Sequence, residues 1–159
     1  MEKQKQQIRR WLLFFMIALT MSGVTAIPVN SELAFIVNKL PAHGPLGSFL
    51  QAVSTGIANT QQQYPFLFYG YDWLAFAHFV LAILFIGPLK DPVRNKWVIE
   101  FGMIACVLII PVAMIAGFFR GIPFWWRLID CSFGLIGILP LYYCYTRIRI
   151  LEKSANHIS

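Results

Sequence analysis

Residues 97–119, WVIEFGMIACVLIIPVAMIAGFF, hold one charged side chain, Glu100, and the nineteen residues between Glu100 and Arg120 are uncharged. A helix of this length rises about 35 Å at ~1.5 Å per residue, enough to cross a hydrocarbon core about 30 Å thick. No soluble core helix needs so long an apolar run.

Three more uncharged stretches repeat the pattern: 21 residues between Arg10 and Glu32, 17 between Asp72 and Lys90, and 16 between Asp130 and Arg147. The expected spans are residues 11–27, 71–89, 97–119 and 124–146. Trp11, Trp73, Trp97, Trp125 and Trp126 fall near their ends, where amphipathic indoles favour the headgroup level. Composition agrees, with 58% hydrophobic and 13% charged residues against roughly 25% charged in soluble domains. The expected fold is an all-α integral membrane protein, a single domain over residues 1–159 in which four transmembrane helices form an antiparallel bundle.

The net charge of +6 does not point to nucleic acid, because the basic residues stand in short groups beside apolar runs and not along one face. They read instead as topology signals. Lys3, Lys5, Arg9, Arg10, Lys90, Arg94, Lys96, Arg147, Arg149 and Lys153 fall on one side of the four spans, and only Lys39, Arg120 and Arg127 on the other. Basic residues close to a span resist translocation. Both termini are therefore expected to be cytoplasmic, in a plasma membrane or bacterial inner membrane. A rival reading takes the first span as a secretory signal peptide, with its basic start, apolar run and Val24-Thr25-Ala26; cleavage would leave three spans.

Residues 28–70 form the one long connection, on the outer side. Ser31 is a candidate cap for a short helix bearing Leu33, Ile36, Val37 and Leu40, broken at Pro41-Ala42-His43-Gly44-Pro45. A second helix is expected from Ser48 to about Gln63, with Phe49, Leu50, Val53 and Ile57 on one face and no charge at all. Both are read as short interfacial helices. The plainer reading is a structured loop packed on the helix ends.

Small residues mark buried faces in membrane helices, because they let backbones approach. Gly102, Cys106, Ala113, Ala116 and Arg120 share one face of the third span; Asp130, Gly134, Gly137 and Cys144 share one on the fourth; Ala75, His78 and Ala82 share one on the second. Each stripe carries an ionisable residue, which costs roughly 3 kcal/mol inside a span and is expected to face protein or water. With Thr20, Ser22 and Thr25 on the first span, these groups suggest a polar pocket open to the outer side.

Two chemistries fit such a pocket. Arg120 and Arg127, with Tyr69 and Tyr71, suit an anionic headgroup gripped bidentately, as in a binding or accessory protein for a lipid or other amphipathic anion. Alternatively His78, oriented by Asp130 or Asp72, suits general-base catalysis in a lipid-directed transferase or hydrolase. A third reading is a structural subunit of a larger membrane complex, whose polar groups serve only helix association.

Each residue also has a plainer role. Arg127 and Asp130 are spaced for an intrahelical ion pair, Arg120 for snorkelling to headgroups, Asp72 for complementing a helix dipole, and Glu100 for the dipole and Lys96. No GxSxG, paired-histidine metal motif or phosphate loop is present in the sequence. Cys106, Cys131 and Cys144 lie in apolar runs without CxxC spacing and read as packing residues, with no metal expected. Haem through His78 lacks an axial partner within a span, since His43 and His157 belong to a loop and a tail.

Overall fold

The computed structural model describes residues 2–39 and 44–156. The described residues are almost entirely helical: α1 (Glu2–Ala26), α2 (Val29–Lys39), α3 (Pro45–Gln63), a 3-10 turn (Pro65–Phe68), α4 (Tyr69–Leu84), α5 (Ile86–Lys90), α6 (Lys96–Phe119) and α7 (Phe124–Asn156). Four stretches are long and apolar enough to cross a bilayer: Glu2–Ala26, Pro65–Lys90, Lys96–Phe119 and Phe124–Ser154. The chain is accordingly a membrane protein.

The helices outrun the apolar segments that signal them. α1 starts nine residues before the expected boundary at Trp11, because Glu2 to Arg10 is, apart from the buried Ile8, built of lysine, glutamine, glutamate and arginine, which are good helix formers. α7 continues past Thr146 through Arg147-Ile148-Arg149-Ile150-Leu151-Glu152, where Ile148 and Leu151 are buried between helix-forming arginines and glutamate. Apolarity marks where lipid lies, while propensity decides where a helix stops.

The long connection folds as two helices. α2 begins at Val29, not at a Ser31 cap: the Glu32 N–H bonds Pro28 O at 3.0 Å, which puts Ser31 inside the first turn. The expected break at residues 40–43 lies outside the described residues. α3 begins at Pro45, three residues before the expected Ser48, with proline at its first position where a missing N–H costs nothing. Ser48 Oγ donates back to Gly44 O at 3.0 Å.

The chain divides into two compact units, Met1–Ile17 with Ile83–Ser159, and Ala18–Ala82. In the first, α6 and α7 form the principal helix pair. Their connection is a Schellman-type stop: the Ile122 N–H bonds Gly117 O at 2.8 Å and the Gly121 N–H bonds Phe118 O at 3.2 Å. Gly121 has φ +67°, a conformation L side chains rarely adopt. Pro123 then offers its carbonyl to the N–H groups of Trp126 and Arg127, at 3.0 and 3.2 Å, and starts α7.

Backbones touch where small residues allow it. Gly134 on α7 lies directly against the Cys106 carbonyl on α6, in space a Cβ would occupy. Phe85 and Leu141 reach the Cα side of Gly102 in the same manner. Gly102, Cys106 and Gly117 are buried, so the expected α6 stripe is right at its start but turns by one residue at its end. Ala116 and Arg120 are exposed, because 3.6 residues per turn carries the face from Ala113 to Gly117. The first half of α1 buries Ile8 and Leu12, with Cys144 Sγ 3.8 Å from Ile8 O.

In the second unit, the other half of α1 meets α4 at Gly23. A Cβ there would lie 2.8 Å from the Phe79 ring and 3.1 Å from Ala75 O. α3 packs against α2 and the 3-10 turn, burying Gly47 and Leu50 and half-burying Val53 and Ile57. Its apolar stripe is thus largely spent on protein contacts.

Gly134→Ala is expected to cost about 1–3 kcal/mol, since the backbone carbonyl it meets cannot move aside as a side chain can. Gly56→Ala, in open space within α3, is expected to stabilise by up to about 1 kcal/mol. Thermal midpoints in one detergent check both; equal midpoints for the two variants would refute this packing account.

Candidate functional site

The residues singled out from sequence separate between the units: Arg120, Arg127 and Asp130 belong to the first, and Tyr69, Tyr71, Asp72 and His78 to the second.

Arg127 has the most constrained surroundings. It sits in the first turns of α7, and its stem fills the notch left by Gly117 on α6. A Cβ at 117 would lie 2.5 Å from Arg127 Cδ and 2.7 Å from Cγ. The Schellman stop sets this register, so the notch and the arginine that enters it are joined by one short turn. From there Nη1 donates to Met114 O at 3.4 Å, a long and weak bond. The guanidinium carbon lies 5.4 Å from the Phe124 ring centroid, a cation–π distance. Nε is buried and has no hydrogen-bond partner among the described residues.

The expected ion pair with Asp130 does not form. Seating the stem in the Gly117 notch turns the guanidinium across to α6, and half-buried Asp130 receives no hydrogen bond or ion pair among the described residues. Arg120 caps the end of α6 through its backbone N–H, bonded to Ala116 O at 3.0 Å, and its side chain is exposed.

In the second unit His78 is half-buried on α4, and its Nδ1 lies 2.7 Å from Leu74 O. A carbonyl only accepts, so the hydrogen sits on Nδ1 and, in the neutral ring, Nε2 keeps its lone pair. A backbone carbonyl thus does what was assigned to Asp130 or Asp72. Asp72 is exposed in the first turn of α4, where the helix dipole accounts for it. Tyr69 is 63% exposed and meets Trp73 edge to face, with centroids 5.9 Å apart. Tyr71 stacks on Phe68 at 5.3 Å with planes 19° apart. This pair borders a niche of about 130 Å³ whose other walls are Gly56, Ile57, Thr60 and Leu67.

A polar knot near the basic ends of the helices contains the expected Lys96–Glu100 neighbours, but its other contacts were not foreseen. Lys96 Nζ lies 3.1 and 3.2 Å from the two carboxylate oxygens of Glu152 and 3.9 Å from Glu100, with the Tyr145 ring centroid 5.7 Å away. Tyr143 donates to Gln7 Oε1 at 3.1 Å, and Arg9 Nε donates to Leu89 O at 3.3 Å. Asn95 Nδ2 bonds both Gly87 O and Asp91 O, closing the turn between α5 and α6. Lys96 and Glu152 are 56 residues apart, and no periodicity joins them. The Arg147–Tyr143 contact, at 5.1 Å, was available from its four-residue spacing.

His43 and His157 lie outside the described residues. Among the described residues no group of three or more histidine, cysteine, aspartate or glutamate side chains is placed to hold a metal ion. No family model, curated protein or solved structure matches the chain.

A double-mutant cycle on Lys96→Met and Glu152→Gln is expected to give a coupling of about 1 kcal/mol, at the upper end for surface pairs because both side chains are less than a third exposed. Additive single effects would show that the contact holds nothing.

Proposed function

We propose that the protein binds a lipid or other amphipathic anion near the outer end of its bundle, as a binding or accessory protein, with Arg127 holding the anionic group. The observation that carries this reading is the buried, unpartnered Nε of Arg127, beside one long bond to a carbonyl. A guanidinium within a membrane helix is costly unless its charge is answered, and among the described residues no carboxylate answers it. A phosphate or carboxylate oxygen accepting from Nε, once a shift of the side chain uncovers that buried atom, would supply both the charge and the missing bond. Arg120, exposed four residues before the start of α7, adds positive charge at the same turn.

The same proposal includes an antiparallel bundle with both termini cytoplasmic, in a plasma or bacterial inner membrane. Support comes from contacts within the first unit. Contacts there draw Gln7 to Tyr143, Arg9 to Leu89 and Lys96 to Glu152. The basic start of α1, the turn before α6 and the basic end of α7 are thus neighbours, which supports assigning them to a common side. α2 and α3 would then lie in the outer interface, with membrane lipids as the principal partner.

His78 favours a second reading, a lipid-directed transferase or hydrolase, through one feature: a tautomer that leaves Nε2 free to accept a proton. If it holds, His78→Gln abolishes turnover of a lipid ester while the protein stays folded; undiminished turnover would exclude it.

For the leading reading, anionic lipid co-purifying with the protein is expected to fall at least tenfold in Arg127→Ala and to be partly kept in Arg127→Lys, by mass spectrometry after gentle detergent extraction. Equal retention by wild type and Arg127→Ala would remove the assignment.

A further inference from the structure

The niche between α3 and the start of α4 lies wholly within the second unit and shares no residue with the surroundings of Arg127. We propose that it receives the end of a lipid acyl chain. This stands whether or not Arg127 binds an anion.

Glycine is the first indication. Gly56 lies within α3, where glycine is among the least favourable helix residues, yet a Cβ at this position would meet no protein atom within 4 Å. Nothing in the fold needs its side chain to be absent. Gly56 instead forms part of the wall of a space of about 130 Å³, with Ile57, Thr60, Leu67, Phe68 and Tyr71. The missing side chain leaves that space open.

The chemistry of the walls selects the occupant. Gly56 and Leu67 are exposed and the other lining residues half-buried, so the space is open on one side, and water in it finds few polar partners on its walls. Thr60 and Tyr71 are the only polar side chains lining the space. An anion is no better served, since no charged residue occurs from position 40 to 71. The stacked rings of Phe68 and Tyr71 and the side chains of Ile57 and Leu67 suit a flexible hydrocarbon, and the volume fits a chain end and not a whole lipid.

The niche is also continuous with a surface that lipid must cover. Leu67, Phe68 and Tyr71, three of its six lining residues, belong to Pro65–Lys90, a stretch apolar enough to cross a bilayer; Phe66 and Leu67 are exposed beside it, and Tyr69 and Trp73 stand exposed elsewhere on the same stretch. The tyrosine and tryptophan suit the headgroup level. An outer-leaflet acyl chain lying against α4 would need only to turn its end under α3.

The test uses full-length protein in phosphatidylcholine vesicles containing a phosphatidylcholine with a diazirine at the end of one acyl chain. After illumination, adducts located by mass spectrometry are expected on Ile57, Leu67, Phe68 or Tyr71, as well as on Phe76 and Val80 of the exposed α4 flank. Gly56→Leu should lower the niche adducts at least fivefold and leave the Phe76 and Val80 adducts unchanged. Thr60→Leu fills the same space and serves if Gly56→Leu misfolds. Wild-type protein labelled on the flank but not in the niche would overturn the proposal. So would undiminished niche labelling in the filled variants, or a protein–protein crosslink at the niche, which would indicate a second copy.

Discussion

Contact between the Gly134 backbone of α7 and the Cys106 carbonyl of α6 sets the position of every other group on this helix pair. In lipid there is no hydrophobic gain from bringing two apolar helices together, so association rests on close packing and interhelical bonds. With the backbones in contact at Gly134, Gly117 falls opposite Arg127 on one side and Lys96 opposite Glu152 on the other. A side chain at 134 would separate the helices at both. The Arg127 notch and the Lys96 knot thus depend on an interaction that involves no charge.

The two polar ends solve the same electrostatic problem differently. Lys96 is answered by two carboxylates and an aromatic ring, all from the protein. Arg127 is answered by one distant carbonyl and a ring, with a nitrogen left over. Closed networks hold helices together, whereas an open donor in a membrane segment has a bond still to make. That contrast is why the ligand reading rests on Arg127 and not on the larger cluster of charges.

Much of the architecture was legible in the sequence, because lipid imposes it directly. Four uncharged runs marked the four long apolar helices, and small residues at helical spacing marked Gly102, Cys106 and Gly134 as contact positions. Less was legible at the site. The Arg127–Asp130 spacing suggested a pair within the helix, but Gly117, on the neighbouring helix, offered the arginine stem a better seat. His78 was read with a carboxylate partner, whereas the nearest acceptor was a carbonyl one turn back on its own helix. Both outcomes depend on contacts that a one-dimensional pattern does not encode. Gly56 was overlooked because an isolated glycine in a polar, uncharged helix has no periodic signature.

The central claim is that Arg127 is seated by Gly117 with one nitrogen reserved for an anion. Solid-state NMR on protein carrying 15N-labelled arginine, in phospholipid bilayers, tests it through 15N–31P dephasing, with Arg127→Lys identifying the resonance. The account predicts that Arg127 Nε is dephased by a lipid phosphorus within hydrogen-bonding range. An Arg127 Nε signal with no phosphorus dephasing, coupled instead to a protein carbonyl or carboxylate, would contradict it.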